Sequence, residues 1–178
     1  MIEVEAKVRL NSSDLKRVQR ELKAGFPLKE KVIKNDFYYG KEKDFFIRIR
    51  ESKDLISKKT KISLDLKRKM REKGMEMNPE ISFPIRSRSL GHSLLRKMGL
   101  ALTDKKQKHS TVYGNKIVSL ELNRIPGLGD YLEIEVMVKT KKEIPAAKKK
   151  LTALFTQFGF SSNRWEHRYY LELLAEKR

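Results

Sequence analysis

Ile2-Glu-Val-Glu-Ala-Lys-Val-Arg-Leu10 decides the architecture, because apolar and polar residues alternate along it without a break and every polar member is ionisable. A β-strand sends successive side chains to opposite faces, so Glu3, Glu5, Lys7 and Arg9 share one face while Val4, Ala6, Val8 and Leu10 share the other. Same-face neighbours stand ~7 Å apart. At that spacing the glutamates can share a divalent metal, and the cations can hold the anion that the metal neutralises. The other reading is a half-exposed edge strand with solvated charges, and this stretch alone leaves both open.

Composition narrows the chemistry. The 178 residues suit a single domain, 1–178, with a core of its own. The absence of cysteine excludes thiolate catalysis, disulfides and sulfur-ligated zinc or iron, so any metal is a hard one held by oxygen. Glu3 and Glu5 stand where a secretory signal would carry cations, and no window is apolar enough for a membrane span; a cytoplasmic protein without a membrane partner is expected. The net charge of +18, from 41 Lys+Arg against 23 Asp+Glu, points to a polyanionic partner, either a nucleic acid or the phosphate tail of a nucleotide.

The opening alternation recurs. Phe45, Ile47 and Ile49 oppose Phe46, Arg48 and Arg50 within Asp44–Glu51, and Ile62, Leu64 and Leu66 oppose Asp65, Lys67 and Lys69 within Lys61–Lys69. Lys106, Lys108 and Ser110 share a face, as do Glu121 and Asn123, and Glu133 and Glu135 oppose Leu132, Ile134 and Val136. Met75–Ile85 reads as a weaker strand interrupted at Pro79, with Glu80 near its middle, and Ser52–Thr60 as a loop. Helices are expected after Ser12-Ser13-Asp14 (stripe Leu15, Val18, Leu22), over Ser89–Met98 (Leu90, Leu94, Leu95 and Met98 on one side) and from Pro145 (Leu151, Leu154, Phe155, Phe158). The tail Arg164–Leu174 is expected to dock on the rest.

Charge is segregated by strand: Arg48, Arg50, Lys67, Lys69, Lys106 and Lys108 on some, Glu121, Glu133 and Glu135 on others. A solvated sheet face mixes its charges and pairs them across strands. Segregation suits a basic wall for polyphosphate and an acidic wall for magnesium or manganese. The aliphatic faces must then point outward under helices, giving a barrel with a polar lumen and an apolar jacket. On a crowded basic wall, Arg50→Ala is expected to relieve repulsion and to raise stability.

These marks resemble the CYTH superfamily, the triphosphate tunnel metalloenzymes. Glu3-Val-Glu-Ala-Lys7 is similar to its Glu-x-Glu-x-Lys signature, Asn35-Asp36-Phe37-Tyr38 to its Asp-x-Tyr segment, Phe46–Arg50 to its Leu-Arg-x-Arg strand and Leu66-Lys67 to its Leu/Tyr-Lys strand. Gly127–Glu135 resembles its Gly-Leu-Gly-x-Phe-x-Glu-Ile-Glu block, and Arg168–Leu174 its Arg-Ser-Tyr-x-x-Leu-Leu tail. The resemblance implies a mainly antiparallel β (α+β) fold, an eight-stranded tunnel barrel jacketed by helices. It implies Mg2+ or Mn2+ held by Glu3, Glu5, Glu133, Glu135 and Glu121, and a triphosphate gripped by Lys7, Arg9, Arg48, Arg50, Lys67, Lys69, Lys106 and Lys108. Asp36, Glu80, Asn123 and Arg168 join the candidate site on the same ground.

Within the superfamily the chain looks most like the class IV adenylate cyclases, which convert ATP to cyclic AMP and pyrophosphate. It departs from them at three places: Lys108-His109-Ser110 replaces Lys-x-Arg, Asn123 replaces an Asp, and Asn78-Pro79-Glu80 replaces Arg-x-Glu. A thiamine or inorganic triphosphatase is the alternative. A non-catalytic polyphosphate- or RNA-binding module is a further one, carried by Lys58-Lys59, Lys67–Lys73 and Lys148–Lys150; those runs lack the interleaved aromatics that stack on bases. A homodimer is compatible with each reading.

Overall fold

The computed structural model describes residues 1–40 and 45–177; Asp44, expected to open a strand, lies outside the described residues. The described strands are β1 (Ile2–Leu10), β2 (Leu28–Tyr39), β3 (Phe45–Asp54), β4 (Thr60–Arg68), β5 (Arg71–Glu72), β6 (Met75–Pro84), β7 (Leu102–Gly114), β8 (Val118–Ile125) and β9 (Gly129–Val138). The helices are α1 (Ser12–Gly25), α2 (Arg88–Lys97), α3 (Ile144–Gln157) and α4 (Tyr170–Ala175). No helix among the described residues is long and apolar enough to cross a membrane.

The strands pair antiparallel in the order β1-β9-β8-β7-β2-β3-β4-β6, and β6 returns to β1, so eight strands close a barrel. β5 is a two-residue ribbon on β6. Pro79, which weakened the sequence reading of β6, sits where this strand changes partners. Glu76 to Pro79 pair with β1, and Glu80 to Pro84 pair with β4. At such a changeover the missing N–H of proline costs no ladder bond.

The barrel is inside out in polarity. Val4, Ala6 and Val8 of β1, Leu120 of β8, and Leu132, Ile134 and Val136 of β9 turn outward onto Val18 and Leu22 of α1 and Leu151 and Phe155 of α3. Each fully buried side chain of this kind contributes ~1.5–3 kcal/mol. Ion pairs buried in a lumen cost desolvation that their attraction only partly offsets, so the outer layer drives folding. Asn11, rather than the serines after it, caps α1 by accepting from the Asp14 N–H at 2.8 Å.

Two sequence readings change. β2 begins at Leu28, seven residues before the segment recognised in the sequence; Val32, Lys34, Asp36 and Tyr38 carry its buried inward face. On α2 the buried residues are Gly91 and Leu95, while Leu90, Leu94 and Met98 are exposed. The helix docks through its glycine: a Cβ on Gly91 would lie 2.7 Å from Ile85 and 2.8 Å from Ile49. A side chain there would have to push the Cδ1 ends of both isoleucines aside, and the close approach rotates the expected leucine stripe toward solvent.

Candidate functional site

Strand order turns the segregated charges into two walls. Four consecutive strands carry carboxylates inward: Glu76 and Glu80 on β6, Glu3 and Glu5 on β1, Glu133 and Glu135 on β9, and Glu121 on β8. The next four carry cations: Lys106 and Lys108 on β7, Lys34 on β2, Arg48 and Arg50 on β3, and Lys67 on β4. Lys7 on the acidic side and Asp36 and Asp65 on the basic side are the exceptions. The cavity between the walls measures about 100 Å³, below the usual ~300–1,000 Å³ of small-molecule sites, because the paired side chains of the two walls fill much of the lumen.

Glu3, Glu5 and Glu135 form one group, with a carboxylate oxygen from each lying within 4.8 Å of the others. The register explains it: Glu5 is directly opposite Glu135, and Glu3 is two residues along the same face. Burial, and then the Glu3 charge, push the Glu5 and Glu135 carboxyls well above the usual range. Glu3 goes the other way. Burial would raise it, but the Lys67 ammonium and hydrogen bonds from Glu135 and Lys67 bring it down to about 2. Lys67 Nζ donates to Glu3 Oε2 and to Glu5 Oε1, the latter at 2.7 Å. An all-oxygen, all-carboxylate donor set of this kind fits Mg2+ or Mn2+.

Glu121 and Glu133, expected in the same metal set, stand outside the three-carboxylate group and accept from several donors. Lys108 Nζ donates to Glu121 Oε2 at 2.7 Å and to Glu133 Oε2 at 3.2 Å, and Lys34 Nζ donates to Glu121 Oε1 at 2.8 Å. Asn123 Nδ2 (2.8 Å) and the Tyr170 hydroxyl (3.1 Å) donate to the same Glu133 Oε2. Despite burial, Lys108 and its neighbours hold both carboxyls below the ordinary range. Asn123 in turn accepts from Ser110 Oγ at 2.6 Å, its register partner across β7 and β8. Two of the three departures from the cyclase pattern therefore meet: a neutral Ser–Asn pair stands where that pattern places Arg and Asp.

The arginines are held by fixed carboxylates. Arg50 grips Asp36 with two parallel bonds of 2.6 and 2.9 Å, and Lys106 reaches the same carboxylate at 3.1 Å. Arg48 donates to Asp65 through Nε at 2.9 Å and lies 3.6 Å from Glu80. Burial opposes ionisation of Asp36, yet Arg50, Lys106 and Arg48 keep its carboxyl well below the usual value. Such forks orient guanidinium groups before any phosphate arrives.

Not every expected residue reaches the lumen. Arg9 shares the face of Lys7 but is exposed at the end of β1, opposite Tyr131. Lys69 lies just past β4, its ammonium 4.3 Å from the Phe46 ring centre, beside a second cavity outside the tunnel. Arg168 is on the surface, paired with Glu166 and Glu176. Conversely, Lys34 and Glu76, the partner of Lys7, line the lumen without having been singled out. Parity could have found both, since Lys34 is in phase with Asp36, and Glu76 with Glu80.

The second cavity adjoins the tunnel mouth, and Tyr38, Phe46, Tyr169 and Leu171 line both. The Phe46 ring meets Tyr38 and Tyr169 edge-on, each at 5.4 Å between centres. The buried Tyr169 hydroxyl has no hydrogen-bond partner among the described residues.

A closed antiparallel barrel with a doubly charged lumen and helices on its apolar outside defines a tunnel-barrel protein. The chain belongs to the CYTH family: the CYTH domain matches residues 1–170. The PH1819 protein of Pyrococcus horikoshii OT3 is 31% identical, and its solved structure superposes with a TM-score of 0.85 over 99% of each chain. "Putative adenylate cyclase MJ0240" of Methanocaldococcus jannaschii is 24% identical over 179 residues, 97% of this chain and 98% of that protein. A Hippeastrum protein described as a putative adenylyl cyclase with a dominant triphosphatase activity shares the fold at 16% identity. Its TM-score is 0.60, over 94% of this chain and 90% of that one.

Proposed function

We propose that this chain is a divalent-metal-dependent enzyme that draws the phosphates of a nucleoside triphosphate into the tunnel and cyclises it, converting ATP to cyclic AMP and pyrophosphate. The observation that carries this reading is the three-carboxylate group of Glu3, Glu5 and Glu135 in the same lumen as Arg48, Arg50 and Lys106. Mg2+ or Mn2+ bound by those carboxylates would supply Lewis-acid polarisation of a phosphoryl oxygen. Arg48 and Arg50, fixed by Asp65 and Asp36, keep their remaining N–H groups for phosphate oxygens. Together with Lys106 they offset charge that develops on the leaving pyrophosphate as the ribose 3′-oxygen attacks the α-phosphorus. The aromatic cavity at the mouth takes the nucleoside.

A triphosphatase, with water attacking the γ-phosphorus of a nucleoside, thiamine or inorganic triphosphate, is the second reading. It is favoured by a lumen whose cations are all of the kind that grips phosphate and that depends on no organic group. Incubation with ATP, thiamine triphosphate and tripolyphosphate, each with magnesium or manganese, separates the two. Cyclic AMP with pyrophosphate is the expected product; orthophosphate selects the triphosphatase. No turnover together with tight, metal-independent RNA binding would overturn both.

A further inference from the structure

Lys67 holds two of the three carboxylates that the metal reading requires. Its ammonium, reaching from β4, donates to Glu3 and to Glu5, the latter at 2.7 Å. An ammonium and a divalent cation compete for the same two carboxylates, because their charges repel across a buried and poorly screened distance. The other lumen cations present no such conflict. Lys7 is committed to Glu76, Lys34 and Lys108 to Glu121 and Glu133, and Arg48 and Arg50 to Asp65 and Asp36. Lysine also suits a group that must move, being a compact charge on a flexible four-carbon stem rather than a planar fork.

We infer that Lys67 is a displaceable internal counter-ion of the Glu3–Glu5–Glu135 group, and that it makes divalent metal and triphosphate bind cooperatively. This rests on the reading of the tunnel as a metal-dependent triphosphate site. When Glu3 and Glu5 coordinate a metal, the Lys67 ammonium is released into the lumen, where phosphate oxygens are its replacement partners. When a triphosphate draws Lys67 across first, the carboxylates are freed for metal. Linkage makes the two effects equal in free energy. Without either ligand, the ammonium neutralises charge that three crowded carboxylates could not otherwise keep.

The first test uses Mn2+ alone and compares its dissociation constant for wild type, Lys67→Met and Lys7→Met, from the electron paramagnetic resonance of free Mn2+. Each variant removes one positive charge from the same lumen, so the general field effect is shared. Lys67→Met is expected to bind Mn2+ about tenfold more tightly than Lys7→Met does, a difference of ~1.4 kcal/mol. In metal-free buffer, Lys67→Met should bind tripolyphosphate more weakly than wild type. The second test needs no variant: with 15N-labelled lysine in wild type, saturating Mg2+ should shift the Lys67 ammonium resonance and leave those of Lys34 and Lys108 in place. Equal Mn2+ affinities for the two variants, or a Lys67 resonance indifferent to Mg2+, would overturn the counter-ion role while leaving the metal site standing. Failure of all three proteins to bind Mn2+ would remove the metal reading and this inference together.

Discussion

The lumen contains two sets of buried carboxylates that the sequence does not distinguish, and they are built on opposite principles. Glu121 and Glu133 receive hydrogen bonds from Lys34, Lys108, Asn123 and Tyr170, and both carboxyls are held low. Glu3, Glu5 and Glu135 crowd together with the Lys67 ammonium bonded to Glu3 and Glu5, and the Glu5 and Glu135 carboxyls are driven up. A buried charge with a full complement of partners is part of the scaffold. One short of partners is where a cation can be accepted, and perturbed groups of that kind gather at functional sites. On the proposed reading one set serves stability and the other ligand chemistry, and substitutions can break that division.

The largest effect is expected at Glu5. Glu5→Gln is nearly isosteric and should preserve the fold and the melting temperature. Metal-dependent turnover should fall by ~100-fold or more, since a hard cation loses a charged ligand. Turnover near wild type at limiting magnesium would move the acidic site elsewhere.

Glu121→Gln should behave in the reverse way. It leaves Lys34 without its carboxylate and Lys108 with Glu133 alone, and removing one member of a buried pair costs ~3 kcal/mol. The sign with pH follows from the lowered Glu121 carboxyl. Its contribution is complete above the unfolded value of ~4.3 and is lost as pH falls through the folded one. Urea unfolding of wild type and variant should therefore show the full gap at pH 7 and a closing gap below pH ~4. A gap that stays constant with pH would mean that Glu121 acts by packing rather than by charge.

Arg50→Ala sharpens the comparison on the basic wall. Loss of a charge-assisted hydrogen bond worth ~1.5–3 kcal/mol should weaken tripolyphosphate binding by about one to two orders of magnitude, with AMP far less affected. Charge counting along the strand suggested that this change would also raise stability. The bidentate bond to buried Asp36 reverses the sign, and stability should drop by ~1–3 kcal/mol as that carboxylate loses its best partner. Equal affinity of both proteins for AMP, ATP and tripolyphosphate would dismiss the phosphate grip.

Parity made much of this legible. The inward faces of β1, β3, β4 and β9 could be read because ionisable residues there alternate with an apolar face, and that of β7 from the shared parity of Lys106 and Lys108 alone. Parity tells which face a residue is on, not how far along the barrel axis it lies, and so Arg9 and Lys69 were given to a lumen that their strands have already left. Lys34 was hidden because Lys29-Glu-Lys-Val-Ile-Lys34 has too few apolar positions to alternate. Glu76 was hidden by the irregularity at Pro79, and the division of five glutamates into two sets depends on cross-strand partners that no single strand reveals.

The smallest expected effect concerns the two departures that meet across β7 and β8. Ser110 and Asn123 are opposite each other, and the Asn123 amide spends its donor on Glu133 and its acceptor on Ser110. Asn123→Asp alone would set a second carboxylate beside Glu133 in place of a donor, and Ser110→Arg alone would bring a guanidinium with no carboxylate of its own at that position. Both singles should lose stability, and the double substitution should recover part of it, with an interaction term of about 1 kcal/mol or more. Asn123→Ala and Ser110→Ala give a milder cycle in which the hydroxyl–amide bond alone contributes ~1 kcal/mol. Phosphate affinity should be unchanged in every member of both cycles, because Ser110 is a step beyond Lys108 and does not line the tunnel cavity. Additivity within error in the Arg/Asp cycle would mean that the two departures are independent, and that the Ser–Asn pair is not a replacement for an ion pair.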